Sequence, residues 1–211
     1  MKIFTRLCVL LFVFVSHSSN AQDCGEPLVG LGEVIAGLEA GFTGGAHTKT
    51  GLPEGSFVAF NSEDRRGFIA PETFLDASQQ CVQDHILIAT FVGCVIGAPS
   101  LFRTPKEARD CVNSGFQGFI LDFYFEIDDV RVEHVQTGTK IGTVPEFFGG
   151  AKVAVFTAGH IVEPFSLKLG NHTATVVFEV DSNGDGIADD PPNPNWTFEG
   201  VFTINESSAA P

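Results

Sequence analysis

From residue 119 onward the chain alternates apolar and polar residues, and this period of two constrains the fold more than any other feature. In residues 119–127 the apolar side chains that would share one face are Phe119, Leu121, Phe123, Phe125 and Ile127. Asp122, Tyr124 and Glu126 occupy much of the other face. Because successive side chains of a β-strand point to opposite faces, the pattern predicts a half-buried strand.

Further runs with strand character follow, separated by Gly, Pro or Asn. They cover residues 130–136, 151–156, 165–169, 173–180 and 196–204. Several short strands at close spacing are typical of an antiparallel β-sandwich or barrel. We therefore predict a mainly β fold, with residues 119–205 forming the sandwich or barrel.

Residues 22–118 lack this pattern and predict a mixed, partly helical half. Residues 22–70 are rich in glycine and should be mostly irregular with one or two short strands. A helix is predicted over residues 71–84, because Pro71 suits a first helical position. One helical stripe would then carry Phe74, Ala77, Cys81 and His85. Residues 86–96 either continue this helix or form a buried strand.

Thr104 and Glu107 have the spacing of a capping box, in which each side chain accepts from the other residue's amide. Gly115 is a natural stop signal further along. The sequence predicts a short helix over residues 105–113 that carries Cys111.

The first 21 residues predict a secretory signal peptide. Lys2 and Arg6 precede an apolar run over residues 7–15, and Ser19-Asn20-Ala21 provides a small-residue cleavage site. Residues 22–211 would be a single mature domain with a mixed half (22–118) and a β-rich half (119–211). We expect the protein to be extracellular, or periplasmic in a bacterium, with no membrane span because no apolar run is long enough.

The mature chain is strongly acidic. Loss of Lys2 and Arg6 takes the net charge from −14 to −16, since residues 1–21 hold no Asp or Glu. Such a surface repels phosphate backbones and anionic lipids, which argues against nucleic acid as a partner. An acidic surface is compatible with divalent cations.

Four cysteines remain after processing: Cys24, Cys81, Cys94 and Cys111. An even number in an exported chain favours two disulfides, and the sequence leaves all three possible pairings open. All four lie in the mixed half, so we expect a disulfide-linked N-terminal half beside the β-rich one.

Residues 181–190 place oxygen-bearing side chains at loop positions 1, 3, 5 and 9 around a glycine at position 6. The side chains belong to Asp181, Asn183, Asp185 and Asp189, and Ile187 would add its carbonyl. Calcium takes six to eight oxygens at about 2.3–2.6 Å, and the central glycine permits the sharp turn. The sequence therefore predicts a structural Ca²⁺ ion that organises the long connection between two strands.

These ten residues resemble the calcium loops of dockerin modules and thrombospondin type 3 repeats, which are EF-hand-like. Pro191, Pro192 and Pro194 forbid the helix that follows an EF-hand loop. Pro192 also stands where an EF-hand keeps its bidentate Glu. The resemblance implies a structural calcium ion of weak affinity, about 10⁻⁴ to 10⁻³ M.

Residues 155–160, Val-Phe-Thr-Ala-Gly-His, resemble the catalytic-histidine segment of chymotrypsin-like serine proteases. By that resemblance His160 would be the general base. The mechanism also requires an orienting carboxylate and a nucleophilic serine. Only 51 residues follow His160, and they contain no Gly-Asp-Ser-Gly segment.

Other candidate groups are weaker. Asp122, Glu126 and Glu133 could act as acid and base in a glycosidase, but Asp122 and Glu126 would lie about 13 Å apart along one strand. A solvated sheet face explains them more simply. The remaining histidines of the mature chain lack metal-ligand spacing: His47, His85, His134 and His172.

Three triplets have the form of N-glycosylation acceptors in a eukaryote, at Asn171, Asn195 and Asn205. Taken together, these features predict a secreted binding, adhesion or surface-structural protein that contacts an extracellular protein or a glycan. One alternative is an extracellular hydrolase that uses His160 or the carboxylates, with calcium in a purely structural role. A third hypothesis is an enzyme inhibitor or effector built on the disulfide-containing half.

Overall fold

The computed structural model describes residues 24–25, 29–40, 67–69, 78–97, 102–143, 152–189 and 196–206. Some predictions concern residues outside these ranges. They are the signal peptide, the first part of the helix predicted over residues 71–84, His47, and the acceptor Asn195.

The protein is mainly β. Its helices are α1 (Leu31–Ala40), α2 (Pro105–Asn113) and α3 (Gly115–Gly118). Its strands are β1 (Phe68–Ile69), β2 (Ser78–Cys81), β3 (Ile86–Ile96), β4 (Ile120–Ile127), β5 (Val130–Val132), β6 (Val135–Gln136), β7 (Lys140–Thr143), β8 (Lys152–Val162), β9 (Gly170–Val180) and β10 (Trp196–Asn205). None of the described residues belongs to a helix long and apolar enough to cross a membrane.

The described strands form two separate five-stranded sheets that are not closed into a barrel. The first sheet has the order β1-β3-β8-β6, with β7 also paired to β8. The second has the order β2-β10-β9-β4-β5. Most pairs are antiparallel, as predicted, but β1 joins β3 and β2 joins β10 in parallel. Strands from the N-terminal half therefore enter both sheets.

The described residues form two hydrophobic cores, a smaller one between α1 and β3 and a larger one that includes residues of both sheets. Alternate residues of β3, β4, β8, β9 and β10 contribute to the larger core, together with the inner side of α2. Phe125 of β4 and Phe202 of β10 are the largest fully buried side chains. Burying a side chain of this kind stabilises the fold by about 1.5–3 kcal/mol. The opposite face of the second sheet, here called the outer face, carries Asp122, Tyr124, Glu126 and Thr175.

The period-two prediction holds for β4 with one exception. Phe125 and Ile127 are buried and Phe123 packs against the same core. Leu121 is exposed instead, because the register between β4 and β9 shifts between Ile120 and Asp122. An irregularity of this kind interrupts the alternation of faces.

Two of the later runs became strands close to their predicted positions, β9 and β10. The run 130–136 is split between β5 and β6, which belong to different sheets. The predicted strand at 165–169 is wrong, since these residues form the connection between β8 and β9. Phe165 has a positive φ of 60°, which a regular strand does not allow.

The helix predicted over residues 71–84 is wrong where the structure describes it. Ser78–Cys81 is strand β2, paired with Phe202 to Asn205 of β10, so Cys81 and His85 are not on a helical stripe. The Asn205 side-chain amide donates to Gln79 Oε1 at 2.8 Å and supports this pairing. Tertiary contacts thus override a local helical preference.

The open alternative for residues 86–96 resolves to a strand, β3, which pairs along its whole length with β8. The helix predicted over residues 105–113 is confirmed as α2, with its capping box. Thr104 Oγ1 accepts from the Glu107 amide at 3.2 Å, and Glu107 Oε2 accepts from the Thr104 amide at 3.0 Å.

The four cysteines form two disulfides, Cys24–Cys81 and Cys94–Cys111. Their Cα atoms are 5.5 and 6.5 Å apart, within the usual range. The first links residue 24 to β2, and the second links β3 to α2. Strand β2 belongs to the second sheet and β3 to the first. Each sheet is therefore linked by one disulfide to an element outside it, the second sheet to residue 24 and the first to α2.

Candidate functional site

The predicted calcium loop follows β9 directly and is described over residues 181–189. The Asp181 amide donates to the Phe119 carbonyl at 2.8 Å, and the Asp189 amide donates to the Val180 carbonyl at 2.7 Å. These two bonds hold both ends of the loop beside the end of β9. The loop is therefore a compact turn and not an extended excursion.

The Asp181 carboxylate is the centre of the loop. Its Oδ1 accepts from the amides of Gly184 at 2.6 Å and Asp185 at 3.2 Å, and its Oδ2 accepts from Gly186 at 2.8 Å. Asp181 is only 6% exposed. Both glycines have φ near +80°, a conformation that favours glycine, so the chain can wrap around this side chain.

Each remaining side chain that was predicted as a ligand also accepts one backbone amide. Asn183 Oδ1 accepts from Asp185 at 2.8 Å, and Asp185 Oδ1 accepts from Ile187 at 2.8 Å. Asp189 Oδ2 accepts from Ser182 at 2.9 Å, which joins position 9 to position 2. Asn183, Asp185 and Ile187 are exposed.

The same hydrogen bonds explain the electrostatics of Asp181. The Gly186 amide, followed by those of Gly184, Asp185 and Asn183, holds the pKa of Asp181 below its ordinary value, although burial opposes this. Amide donors favour the charged carboxylate. The loop thus stabilises a negative charge at its first position.

The loop has spare acceptor capacity for a cation. A carboxylate offers about four lone-pair sites and an amide oxygen about two, so Asp185, Asp189 and Asn183 are each only partly used. Oxygen donors of this kind suit Ca²⁺. Within the described ranges, however, no group of three or more His, Cys, Asp or Glu side chains converges as a metal site. Any calcium site here would also need the amide and carbonyl oxygens.

The protease-like histidine lies on β8, in a different surrounding. His160 Nδ1 is 2.6 Å from the carbonyl oxygen of Glu133. In the described part of the chain no serine or carboxylate side chain hydrogen bonds with His160. The partners that a catalytic triad requires are therefore not assembled there, and the hydrolase alternative stays a prediction.

The candidate carboxylates do not converge either. Asp122 and Glu126 lie on β4, whereas Glu133 lies in the connection between β5 and β6. The strand register adds a residue that sequence reasoning missed. Glu126 is opposite Thr175 of β9, and Thr175 is opposite Glu199 of β10. The backbones of Glu126 and Glu199 are therefore about 9–10 Å apart on the outer face, with the buried Thr175 between them.

The other histidines in the described ranges, His85, His134 and His172, have structural surroundings. His85 Nε2 is 3.0 Å from Glu163 Oε2, and His134 packs against the rings of Phe123 and Phe125. Burial lowers the pKa of His134, the charge of Arg131 acts in the same sense, and Asp122 opposes it. His172 pairs with Asp128, 44 residues away, a contact without any local sequence signal.

Comparison with known proteins places the chain in no family. No protein-family model matches it, and no curated protein matches it. Among solved structures it is similar to a cysteine protease inhibitor from Entamoeba histolytica, at 12% identity over 66% of this chain and 95% of that chain. The TM-score is 0.28, which is too low to establish a shared fold or function.

Proposed function

We propose that the chain is an exported β-sandwich domain that binds an extracellular protein or a glycan, and whose 181–189 loop is stabilised by Ca²⁺. Two disulfides support export, because disulfides persist in oxidising compartments. The basic and apolar residues 1–21 support it independently. The sandwich is supported by the larger hydrophobic core, to which both sheets contribute.

The observation that carries the calcium proposal is the environment of Asp181. This carboxylate is buried, negatively charged and wrapped by three backbone amides, and the residues around it bring two further carboxylates into the same short turn. Asp181, Asp185 and Asp189 repel one another without a counter-charge. A divalent cation would remove that repulsion. Asp185, Asp189, Asn183 and the Ile187 carbonyl would supply the remaining oxygens.

Calcium would act by binding the ordered loop better than the disordered one. At about 1 mM calcium and a dissociation constant of about 10⁻⁴ to 10⁻³ M, the stabilisation is about 0.4–1.4 kcal/mol. That free energy is enough to order a loop but is small against the stability of a domain. The ion would therefore present a loop surface to a partner and would not be required for folding.

The test is isothermal titration calorimetry of residues 22–211 with CaCl₂, in parallel with Asp185→Asn. This substitution removes a charged ligand but keeps the Oδ1 acceptor for the Ile187 amide, so the turn itself survives. The matched control is Asp129→Asn, at another exposed aspartate, in the turn after β4. We expect calcium uptake by the parent and the control, and at least tenfold weaker binding by Asp185→Asn.

Two outcomes would contradict the proposal. Absence of heat and of any calcium-dependent slowing of amide exchange in residues 182–189 would remove calcium from the function. Uptake of calcium with equal affinity by Asp185→Asn and the parent would place the ion elsewhere. Export and partner binding would then need support of their own.

A further inference from the structure

The asparagines of two of the three glycosylation triplets, Asn171 and Asn205, lie in described strands and have different surroundings. N-glycosylation joins the Asn side-chain nitrogen to C1 of an oligosaccharide carried on a lipid diphosphate. The Nδ2–C1 bond forms, the bond from C1 to the phosphate oxygen breaks, the lipid diphosphate leaves, and the amide loses one proton. A glycan therefore fits the folded protein only where Nδ2 makes no structural hydrogen bond and there is room for a large polar group.

Asn205 meets neither requirement in the folded protein. Its Nδ2 donates to Gln79 Oε1 at 2.8 Å and to the Gln80 carbonyl at 3.3 Å. Both acceptors belong to β2, which pairs with β10 at this point. Asn205 is directly opposite Cys81, whose disulfide to Cys24 is buried. A glycan on Asn205 would remove one donated proton and separate these strands.

Asn171 meets both requirements. It is exposed at the start of β9, and its Oδ1 accepts from Thr203 Oγ1 at 2.9 Å. This bond orients the amide group and leaves Nδ2 without a hydrogen-bond acceptor in the described part of the chain. Thr173, the third residue of the triplet, lies on the same outer face because it is two residues further along the strand.

The surface around Asn171 also suits a glycan, because it exposes apolar side chains. Leu169, two residues earlier, is 53% exposed, and Val201 of β10 is 43% exposed. Val201 is opposite Thr173 and Asn171 is opposite Thr203, so Val201 is a diagonal neighbour of Asn171, about 7–8 Å away. A first sugar residue at Asn171 would reach across both apolar groups.

We propose that Asn171 is an N-glycan attachment site of this chain in a eukaryotic secretory pathway, and that Asn205 is not. The glycan covers two exposed apolar side chains, Leu169 in the connection before β9 and Val201 on the outer face. The triplet at Asn171 thus directs glycosylation. At Asn205 the asparagine instead holds β10 against β2 through its hydrogen bonds.

The test is secretion of the full chain from insect cells, followed by peptide mass spectrometry after glycan release in ¹⁸O water, which labels each formerly glycosylated Asn. Thr173→Val destroys the Asn171 triplet but keeps Asn171, and Ser207→Ala does the same for Asn205. We expect label at Asn171 in most molecules of the parent and of Ser207→Ala, and its loss in Thr173→Val. Asn171→Gln should give the same loss.

A second expression behind the host's own secretion signal makes the result independent of residues 1–21. A secreted parent protein without label at Asn171 would overturn the inference, as would label at Asn205 equal to that at Asn171. Neither result depends on calcium, so the test separates this inference from the proposed function. The calorimetric test can fail while this one succeeds, and the reverse also holds.

Discussion

The imidazole of His172 is held between two acceptors, with Nδ1 2.6 Å from Asp128 Oδ2 and Nε2 2.8 Å from the Lys168 carbonyl. Asp128 Oδ1 in turn accepts from the Thr173 amide at 2.9 Å. The His172 ring also stacks on Phe202 of the core. The His172–Asp128 pair therefore holds three segments together. They are the turn after β4, the start of β9 and the connection between β8 and β9.

We expect Asp128→Asn to lower the free energy of unfolding at pH 7 by about 0.5–1.5 kcal/mol, the net value of a typical hydrogen bond. The Asp128 side chain is 50% exposed, so solvent screens part of its interaction with His172. Asn tolerates the positive φ of 50° at this position, so backbone strain does not add to the effect. Urea denaturation measures the difference.

The pH dependence of this difference has a definite sign. Partial burial opposes ionisation, but hydrogen bonds from Thr173 and His172 hold the pKa of Asp128 below its ordinary value of 3.8. A depressed pKa contributes stability above the ordinary value and loses it as pH falls through the folded-state value. The difference in the free energy of unfolding between Asp128→Asn and the parent should therefore become smaller below pH 3.8. Asp129→Asn, also at positive φ, is the control, and its free energy of unfolding should equal that of the parent.

A substitution at Thr90 should raise the free energy of unfolding, whereas Asp128→Asn should lower it. Its side chain is 1% exposed on β3, and its hydroxyl has no hydrogen-bond partner in the described structure. Its neighbours on the same side of the strand are the core residues Ile88 and Val92. An unsatisfied buried hydroxyl costs about 1–3 kcal/mol, so we expect Thr90→Val to stabilise the protein by about 1 kcal/mol.

The same substitution at Thr104 serves as the matched control. There the hydroxyl accepts from the Glu107 amide at the start of α2, and losing such a cap costs about 1 kcal/mol. Thermal unfolding should therefore move in opposite directions for Thr90→Val and Thr104→Val. A fall in melting temperature for both variants would contradict the prediction, because it would show that the Thr90 hydroxyl stabilises the core.

The sequence predicted those parts of the fold whose physics is local. The alternation in residues 119–127 and 196–204 predicted strands because a single face of each is buried. Thr104 and Glu107 predicted α2 because a capping box involves only neighbouring residues. Strand β2 was missed because Ser78–Cys81 has no apolar alternation. Its conformation depends on Asn205 and on the Cys24–Cys81 disulfide, both distant in sequence.

The candidate site also combines features that are local in sequence with features that depend on distant residues. The spacing from Asp181 to Asp189 predicted the members of the loop, since the side-chain hydrogen bonds among them lie within a few residues. Calcium itself stays a prediction. The pairing of His172 with Asp128, and the alignment of Glu126 with Glu199 across Thr175, depend on strand register. Register between distant segments has no local sequence signal, so these relationships required the structure.

Gly115, the first residue of α3, should tolerate no side chain. Its φ is +56°, and an added Cβ would overlap the carbonyl oxygen of Ile120. Gly97 has φ +102° but open space around it, so it isolates the backbone effect. We expect Gly97→Ala to cost about 1–2 kcal/mol from backbone strain and Gly115→Ala to cost more. Equal costs in urea denaturation would show that the chain after α2 relaxes freely.

The amides of Gly184 and Gly186 should report the ionisation of Asp181. Because hydrogen bonds from the Gly186 amide and its neighbours depress the pKa of Asp181, the ordered loop is favoured above the ordinary value of 3.8. That preference is lost as pH falls through the lower folded-state value. In NMR titrations with a calcium chelator, both amide protons should shift with a midpoint below 3.8. The shift should vanish in Asp181→Asn and persist in Asp110→Asn. A midpoint at or above 3.8 would mean that these amides do not bind the carboxylate in solution.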